Sequence, residues 1–456
     1  MPRFTAASVC LALALTLAGC VATPLAELPE RRELGLPATL PPMNRFGAAT
    51  PERPARPNAQ MAQDFLDLSF AMESGRTIDR MSRFEGPISV TVAPGAPASL
   101  VPDLDALIAR LRREARIDIR RVEAAPGAAS ITIETMPRSQ MQRRVPEAAC
   151  FVVPRVGSWA EFRRTRNGRD LDWTTLTVRE RVAVFLPNDV SPQEVRDCLH
   201  EEVAQALGPL NDLYRLPDSI FNDDNLHAVL TGFDMLMLRA YYDPALRSGM
   251  RRDEVAALIP GILDRLNPAG AGGGPGTIRR TPQAWVGAIE TALGPGTNAP
   301  ARIQAADRAV TIARQSGLTD ARLAFSYFAL ARLSLSSDAE ASIGAFQAAA
   351  NIYDRIAPGG IQVAHIDMQL AAFALSAGRA DEALRLTTRA ERAAVAAQNA
   401  SLLSTLLMIR AEALDDLGRP GEARAVRLDS LAWGRYGFDG NAAVGARLTE
   451  VSALSR

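Results

Sequence analysis

Apolar and polar positions along this chain follow two different rhythms. Between residues 60 and 250, short stretches with a two-residue period alternate with stretches of helical period. Pro87 to Ala93, PISVTVA, alternates apolar and polar and predicts a strand. Val101 to Ala115 places Leu104, Leu107, Ile108 and Leu111 at helical spacing. Ile117 to Val122, Ser130 to Thr135, Cys150 to Val153 and Val182 to Leu186 predict further strands. The intervening Arg155 to Arg181, which carries Trp159 and Trp173, reads as a surface hairpin. A short helix is expected over Asp253 to Leu266. Asn267 to Gly276, NPAGAGGGPG, then reads as a flexible linker. From about Thr281 every stretch is helical. Glu-Ala recurs at the turns, at Glu340, Glu382 and Glu422, and Gly378-Arg-Ala-Asp-Glu-Ala returns 40 residues later as Gly418-Arg-Pro-Gly-Glu-Ala. Helix pairs repeating at such a period bury their apolar faces only by stacking.

Composition adds exclusions. Formal net charge is zero, with 51 basic residues, all of them Arg, against 51 acidic ones, so no basic field argues for nucleic acid. The three histidines, His200, His227 and His365, show no metal-ligand spacing. Residues 1–19 read as an export signal, with Arg3 ahead of the apolar Val9 to Leu17. Leu17-Ala18-Gly19-Cys20 resembles the lipobox of bacterial lipoproteins. That resemblance implies cleavage before Cys20, acylation of its thiol, and, with Val21 next, sorting to the periplasmic face of the outer membrane. Residues 20–60 hold eight prolines between Pro24 and Pro57 and read as a disordered, semi-extended tether. Processing leaves Cys150 and Cys198, which in an oxidising compartment are expected to form one disulfide.

The most informative stretch runs from Leu186 to Asp224. Ser191, Pro192 and Glu194 predict a helix start with a capping box, and Gly208-Pro209 its end. Val195, Leu199, Val203 and Ala206 fall within one arc of about 80°. Glu201, Gln205 and Glu202 lie beside it, at roughly 240°, 280° and 340° on the same wheel. His200 falls away from that edge and reads as a flank or partly buried helix position. EEVAQALG, residues 201–208, resembles the metzincin motif H-E-x-x-H-x-x-G-x-x-H with both helical histidines replaced. Pro217 to Phe221 resembles the Met-turn segment, with Phe221 at the methionine position, and Leu230 to Tyr242 the closing helix of that fold. The wider stretch resembles a family of bacterial lipoproteins known only as a domain of unknown function. The helical half, with Leu370 to Gly378 as example, resembles tetratricopeptide repeats.

These resemblances imply an α+β zincin-like domain over residues 61–266, a linker over 267–280 and an all-α, TPR-like helical-repeat domain over 281–456. They place Glu202 at the catalytic position, Glu201 and Gln205 at two ligand positions, and Asn211, or Asp212 one residue on, at the third. Catalytic zinc is normally held mainly by imidazoles, and oxygen donors suit harder ions. The preferred reading is therefore a lipid-anchored periplasmic protein with a non-catalytic metalloprotease-like domain and no cofactor, whose repeats bind a protein or peptide. One alternative is an atypical metallopeptidase holding zinc on Glu201, Gln205 and Asp212 with Glu202 as general base. The other is an envelope scaffold with nothing in the cleft.

Overall fold

Five strands, most of them followed by a helix, form one sheet. In the computed structural model, which describes residue 37 and residues 39–455 apart from 51, 55, 147, 167, 225 and 275, the first half runs α1 (Asn58–Ser69), β1 (Ile88–Val92), α2 (Leu100–Arg113), β2 (Ile119–Arg121), β3 (Ile131–Met136), α3 (Arg138–Gln142), β4 (Phe151–Pro154), α4 (Trp159–Thr165), β5 (Val182–Pro187), α5 (Pro192–Leu207), α6 (Gly232–Tyr241) and α7 (Arg252–Leu266). The export signal, Cys20 and the start of the tether lie outside the described residues. The sheet order is β2-β1-β3-β5-β4. The first four strands are parallel, and β4 pairs antiparallel with β5 at one edge. Central parallel strands must be apolar on both faces, and all six residues of β5 are buried.

Successive side chains point to opposite faces of a strand, so the sheet has two cores. Val182, Val184 and Leu186 pack with residues of α1, α2, α5, α6 and α7 in the larger one. Ala183 and Phe185 join Met141, Trp159 and Phe162 in the smaller one. The Arg155–Arg181 stretch is therefore not a surface hairpin. Ser158 caps α4 by accepting a hydrogen bond from the Glu161 N–H at 3.2 Å. Trp159 is buried, with its ring 5.2 Å from that of Phe185. Its aromatic residues alternate with arginines, which hides a core contribution behind a polar composition.

The second half is entirely helical among the described residues: α8 (Gln283–Leu293), α9 (Ala299–Gln315), α10 (Ala321–Ser334), α11 (Ala339–Ile356), α12 (Ile361–Ser376), α13 (Ala380–Ala396), α14 (Ala400–Asp416), α15 (Pro420–Gly437) and α16 (Gly440–Ser452). Neighbouring helices in sequence pack on one another. The repeated Gly-Arg-x-x-Glu-Ala has a physical account. Gly378 and Gly418 take φ of +71° and +70°, which favours glycine. The arginine after each pairs with a glutamate three residues on, Arg379 with Glu382 and Arg419 with Glu422, both at 2.7 Å. The following Ala383 and Ala423 are fully buried.

The halves are joined more closely than a flexible linker suggests, and together they form one compact unit. Leu226 packs in the core of α8 to α14, and Tyr214 lies edge-on to Trp285 at 5.0 Å. Gln193 on α5 donates to Asn399 at 3.2 Å and accepts from the Ser401 N–H at 2.9 Å. Arg196 donates to the Gln398 carbonyl, and the Tyr436 hydroxyl donates to Asp103 at 2.7 Å. The linker itself is pinned, since Asn267 donates to Asn58 at 2.9 Å. The described end of the tether forms a strap, up to Pro57, that is also held in place. Asn44 donates to Asp429 at 3.0 Å, and Phe46 stacks on Trp433 at 4.3 Å. Glu52 crosses the start of α6 so closely that a Cβ on Gly232 would lie 1.8 Å from its carbonyl oxygen. Proline-rich composition predicted disorder here, but Phe46 and the strap's backbone groups find partners supplied by residues hundreds of positions away.

Candidate functional site: a buried carboxylate cluster

Helix α5 is fixed at both ends. Ser191 accepts the Glu194 N–H at 3.1 Å, as expected of the cap. The Glu194 carboxylate turns to Arg138 instead of back to the helix, so the reciprocal half of the expected capping box is not made. At the other end Arg179, buried and lying over the Trp173 ring, donates to the carbonyls of Gln205, Ala206 and Gly208 at 2.5, 2.7 and 2.6 Å. A cation on the last-turn carbonyls complements the negative end of the helix. Gly208 serves close packing, because a Cβ there would meet the Tyr241 ring at 3.3 Å. Val195, Leu199, Val203 and Ala206 are buried, as the wheel predicts.

The polar edge of α5 faces other acids. Carboxylate oxygens of Glu201 and Glu202 and the sulfur of Cys150 lie within 4.8 Å of one another. Gln205 donates to Glu73, in the turn after α1, at 2.9 Å. Asp212 is hydrogen-bonded to Glu73 as well. Asp223, at the exposed rim, accepts from the Tyr214 phenol. Asn211 is not part of the group, since its amide donates to the Asp67 carbonyl at 2.9 Å. Of the two candidates for the third position, Asp212 is the one brought to the cluster. Glu202 is only 4 % exposed, and among the described residues its Oε2 has no hydrogen-bond partner, nor has Asp212 Oδ1.

Burial is the largest influence on each of these acids, and their neighbours reinforce it. Burial, then the charges of Glu73 and Asp223, push the Glu201 carboxyl up to about 7. Burial and the charges of Glu201 and Glu73 hold Glu202 well above the usual carboxylate range. Asp212 is raised in the same way, with Glu73, Glu201 and Asp223 adding to burial. Glu73, whose residue is exposed at the rim while its carboxyl turns inward to Gln205 and Asp212, is raised by the loss of water around that carboxyl and by Asp223. No arginine acts on Glu201, Glu202 or Asp212 strongly enough to offset this. Near neutral pH such a group either retains protons or takes up a positive charge from outside.

The donor set does not fit zinc. His200, expected as a flank or partly buried residue, is almost fully buried, and its Nδ1 accepts the Leu230 N–H at 3.1 Å. Burial holds its imidazole well below the ordinary value, so it is neutral. His227 contacts the Pro217 carbonyl at 2.9 Å, and His365 lies on α12. Cys150 is bonded to Cys198, with Cα atoms 5.9 Å apart, so its sulfur is not a thiolate ligand. What remains is oxygen.

The segment that follows is rigidly supported. Asp234 accepts from the Ser219 hydroxyl at 2.5 Å and the Ile220 N–H at 3.1 Å, and closes a capping box with Thr231 at the start of α6. Phe221 is fully buried. Two cavities of about 280 and 360 Å³ lie along the seam between strap, α/β half and helices, and none of the cluster's acids lines either one. Sequence reasoning found Glu201, Glu202, Gln205 and Asp212 but missed Glu73, Asp223, Tyr214 and Arg179. Glu73 sits in an exposed polar turn more than 100 residues earlier, where no periodicity points to a site.

Residues 58–261 match the model of a family described as "Protein of unknown function (DUF2927)". The match begins at the first residue of α1 and ends within α7, so it spans the α/β half and none of α8 to α16. No curated protein matches the chain. The solved structure of BtubC (BKLC) from P. vanneervenii is similar at 16 % identity, covering 46 % of this chain and 75 % of that one. Its TM-score of 0.27 is too low to carry an argument about fold or function.

Proposed function

We propose that this protein is a lipid-anchored component of the bacterial cell envelope in which a zincin-like but non-hydrolytic α/β domain is fused to TPR-like repeats that bind a protein or peptide. The observation that carries the non-hydrolytic reading is the chemistry of the cluster. Glu201 lies beside Glu202, and Gln205 and Asp212 both reach Glu73 next to them, yet none of the three histidines is among them. Zinc hydrolysis needs nitrogen donors that leave the bound water reactive near pH 7. A carboxylate group that already carries excess negative charge lacks that property. The element order strand, helix, strands, helix, turn, helix supports the zincin-like reading of the α/β half. The repeated turn and first-turn arrangement at Gly378 and Gly418 supports the repeat reading of the second.

Two experiments test the proposal. Purified protein offered a broad peptide mixture with added zinc should cleave nothing that Glu202→Gln does not also cleave. Zinc-dependent cleavage lost in that variant would establish the metallopeptidase instead. Cys20→Ser should move the protein from the membrane fraction to the soluble envelope fraction. Retention in the membrane would refute the lipid anchor.

A further inference from the structure

We infer that the carboxylate cluster of Glu73, Glu201, Glu202 and Asp212 is a binding site for a hard divalent cation, with Ca²⁺ as the best fit. The inference goes beyond the non-hydrolytic reading and does not depend on the envelope location. Two kinds of observation carry it. The first is convergence. Acids from three separate parts of the chain come near one another in two pairs. Glu201 lies beside Glu202 in the last two turns of α5, and Glu73 of the turn after α1 is hydrogen-bonded to Asp212 of the loop beyond, with Glu73 close enough to act on both glutamates of α5. The second is unfilled bonding capacity. Glu202 is 4 % exposed with an unpartnered Oε2, and Asp212 Oδ1, also shielded from solvent, lacks a partner too. A buried carboxylate oxygen without a donor costs free energy that a cation would recover.

The donor chemistry selects the ion. With Cys150 locked in the disulfide and every histidine elsewhere, all donors are oxygens, which suit Ca²⁺, Mg²⁺ and Mn²⁺ over zinc. The four carboxylates carry eight oxygens, and the Glu73–Asp212 pair on its flexible turn and loop has to close on the Glu201–Glu202 pair for the ion to reach the six to eight that Ca²⁺ takes in irregular geometry. Mg²⁺ demands near-octahedral order and keeps its waters, which a site shared between a helix and two loops serves less well. Glu73 and Asp223 are exposed at the rim and provide the route in. Burial and mutual repulsion also hold these carboxyls above their usual range, as expected where a positive charge is wanting.

The test is calorimetric titration of Ca²⁺, Mn²⁺, Mg²⁺ and Zn²⁺ into the chelator-treated full-length protein in detergent, at pH 8. One Ca²⁺ should bind per chain, with Zn²⁺ weaker. Loss of metal-supporting groups typically costs ~10–100-fold in affinity, so Glu202→Gln and Asp212→Asn should each weaken Ca²⁺ at least about tenfold. Glu85→Gln, remote from the cluster, should leave it unchanged. Both cluster variants remove a repelling charge, so without Ca²⁺ each should melt no lower than the parent. If either fails to fold, Tb³⁺ luminescence of the unmodified protein decides, because Tyr214 at the rim should sensitise the ion and Ca²⁺ should quench the signal competitively. Absence of Ca²⁺ binding, Zn²⁺ binding tighter than Ca²⁺, or Ca²⁺ affinity unchanged in both variants would overturn the inference.

Discussion

Two groups of acids, each centred on a buried carboxylate and each including residues of the loop between α5 and α6, are built differently. Around Asp64, three carboxylates meet three guanidinium groups. Asp64, fully buried, accepts from Arg215 at 2.7 Å and pairs with Arg56. Arg56 also reaches Asp218 at 2.8 Å and lies over the Phe233 ring. Asp67 pairs with Arg215 at 3.0 Å and with Arg252 at 2.9 Å. Burial still raises the Asp64 carboxyl, but both arginines pull it back. Among the described residues, no arginine offsets the charge around Glu202 in this way. A compensated group fastens the strap, α1, the loop and α7 together. An uncompensated one costs stability and is poised to take a ligand. Burial of acids therefore does not by itself identify a site; the sign of what surrounds them does.

The comparison can be broken most sharply at Asp64. Asp64→Ala leaves Arg56 and Arg215 without their shared acceptor and should cost about 3–5 kcal/mol by denaturant unfolding. A loss below about 1 kcal/mol would mean that the arginines find other partners and the two groups are not opposites. Next in size is the covalent clamp beside the acidic group. Replacing both Cys150 and Cys198 with Ser should cost about 2–4 kcal/mol, since the bond closes a 48-residue separation. Peptide mapping of unreduced protein should show the cross-link, and two freely alkylatable thiols would remove the basis of this expectation.

The third prediction concerns pH. Glu201 has a folded-state value raised to about 7 from an ordinary 4.5. A raised carboxyl binds its proton more tightly when folded, so its contribution is full below about pH 4.5 and is lost as pH rises through 7. Metal-free protein should lose on the order of 2 kcal/mol between pH 5 and pH 8, and Glu201→Gln should flatten that slope. Stability that rises across this range in the absence of metal would show the cluster to be compensated after all. The smallest effect is expected from Glu202→Gln. Replacing the most enclosed acid of the uncompensated group should raise metal-free stability at pH 8 by about 1 kcal/mol. Asp64→Asn should lower it, and equal signs would erase the contrast.

Local pattern fixed much of this molecule. All five strands and the helices α2, α5 and α7 follow from periodicity and from caps such as Ser191, because those signals act within a few residues, whereas α6 is expected only from the family resemblance. The recurrence of Gly378 and Gly418 marked the helix turns for the same reason. Glu201, Glu202 and Gln205 were legible as one helical edge, since 100° per residue places them there in any context. Tertiary structure alone decided what that edge faces. Glu73 and Asp223 come from distant turns, and Arg179 caps α5 from a stretch whose arginines and tryptophans look exposed by composition. The same holds for the strap and linker: proline and glycine content describes how a free chain behaves, not whether Ala432, Trp433 and Asn58 lie within reach to hold it. Whether a buried acid is paired with arginine, as at Asp64, or left among other acids, as at Glu202, is a property of neighbours in space, which no local rhythm encodes.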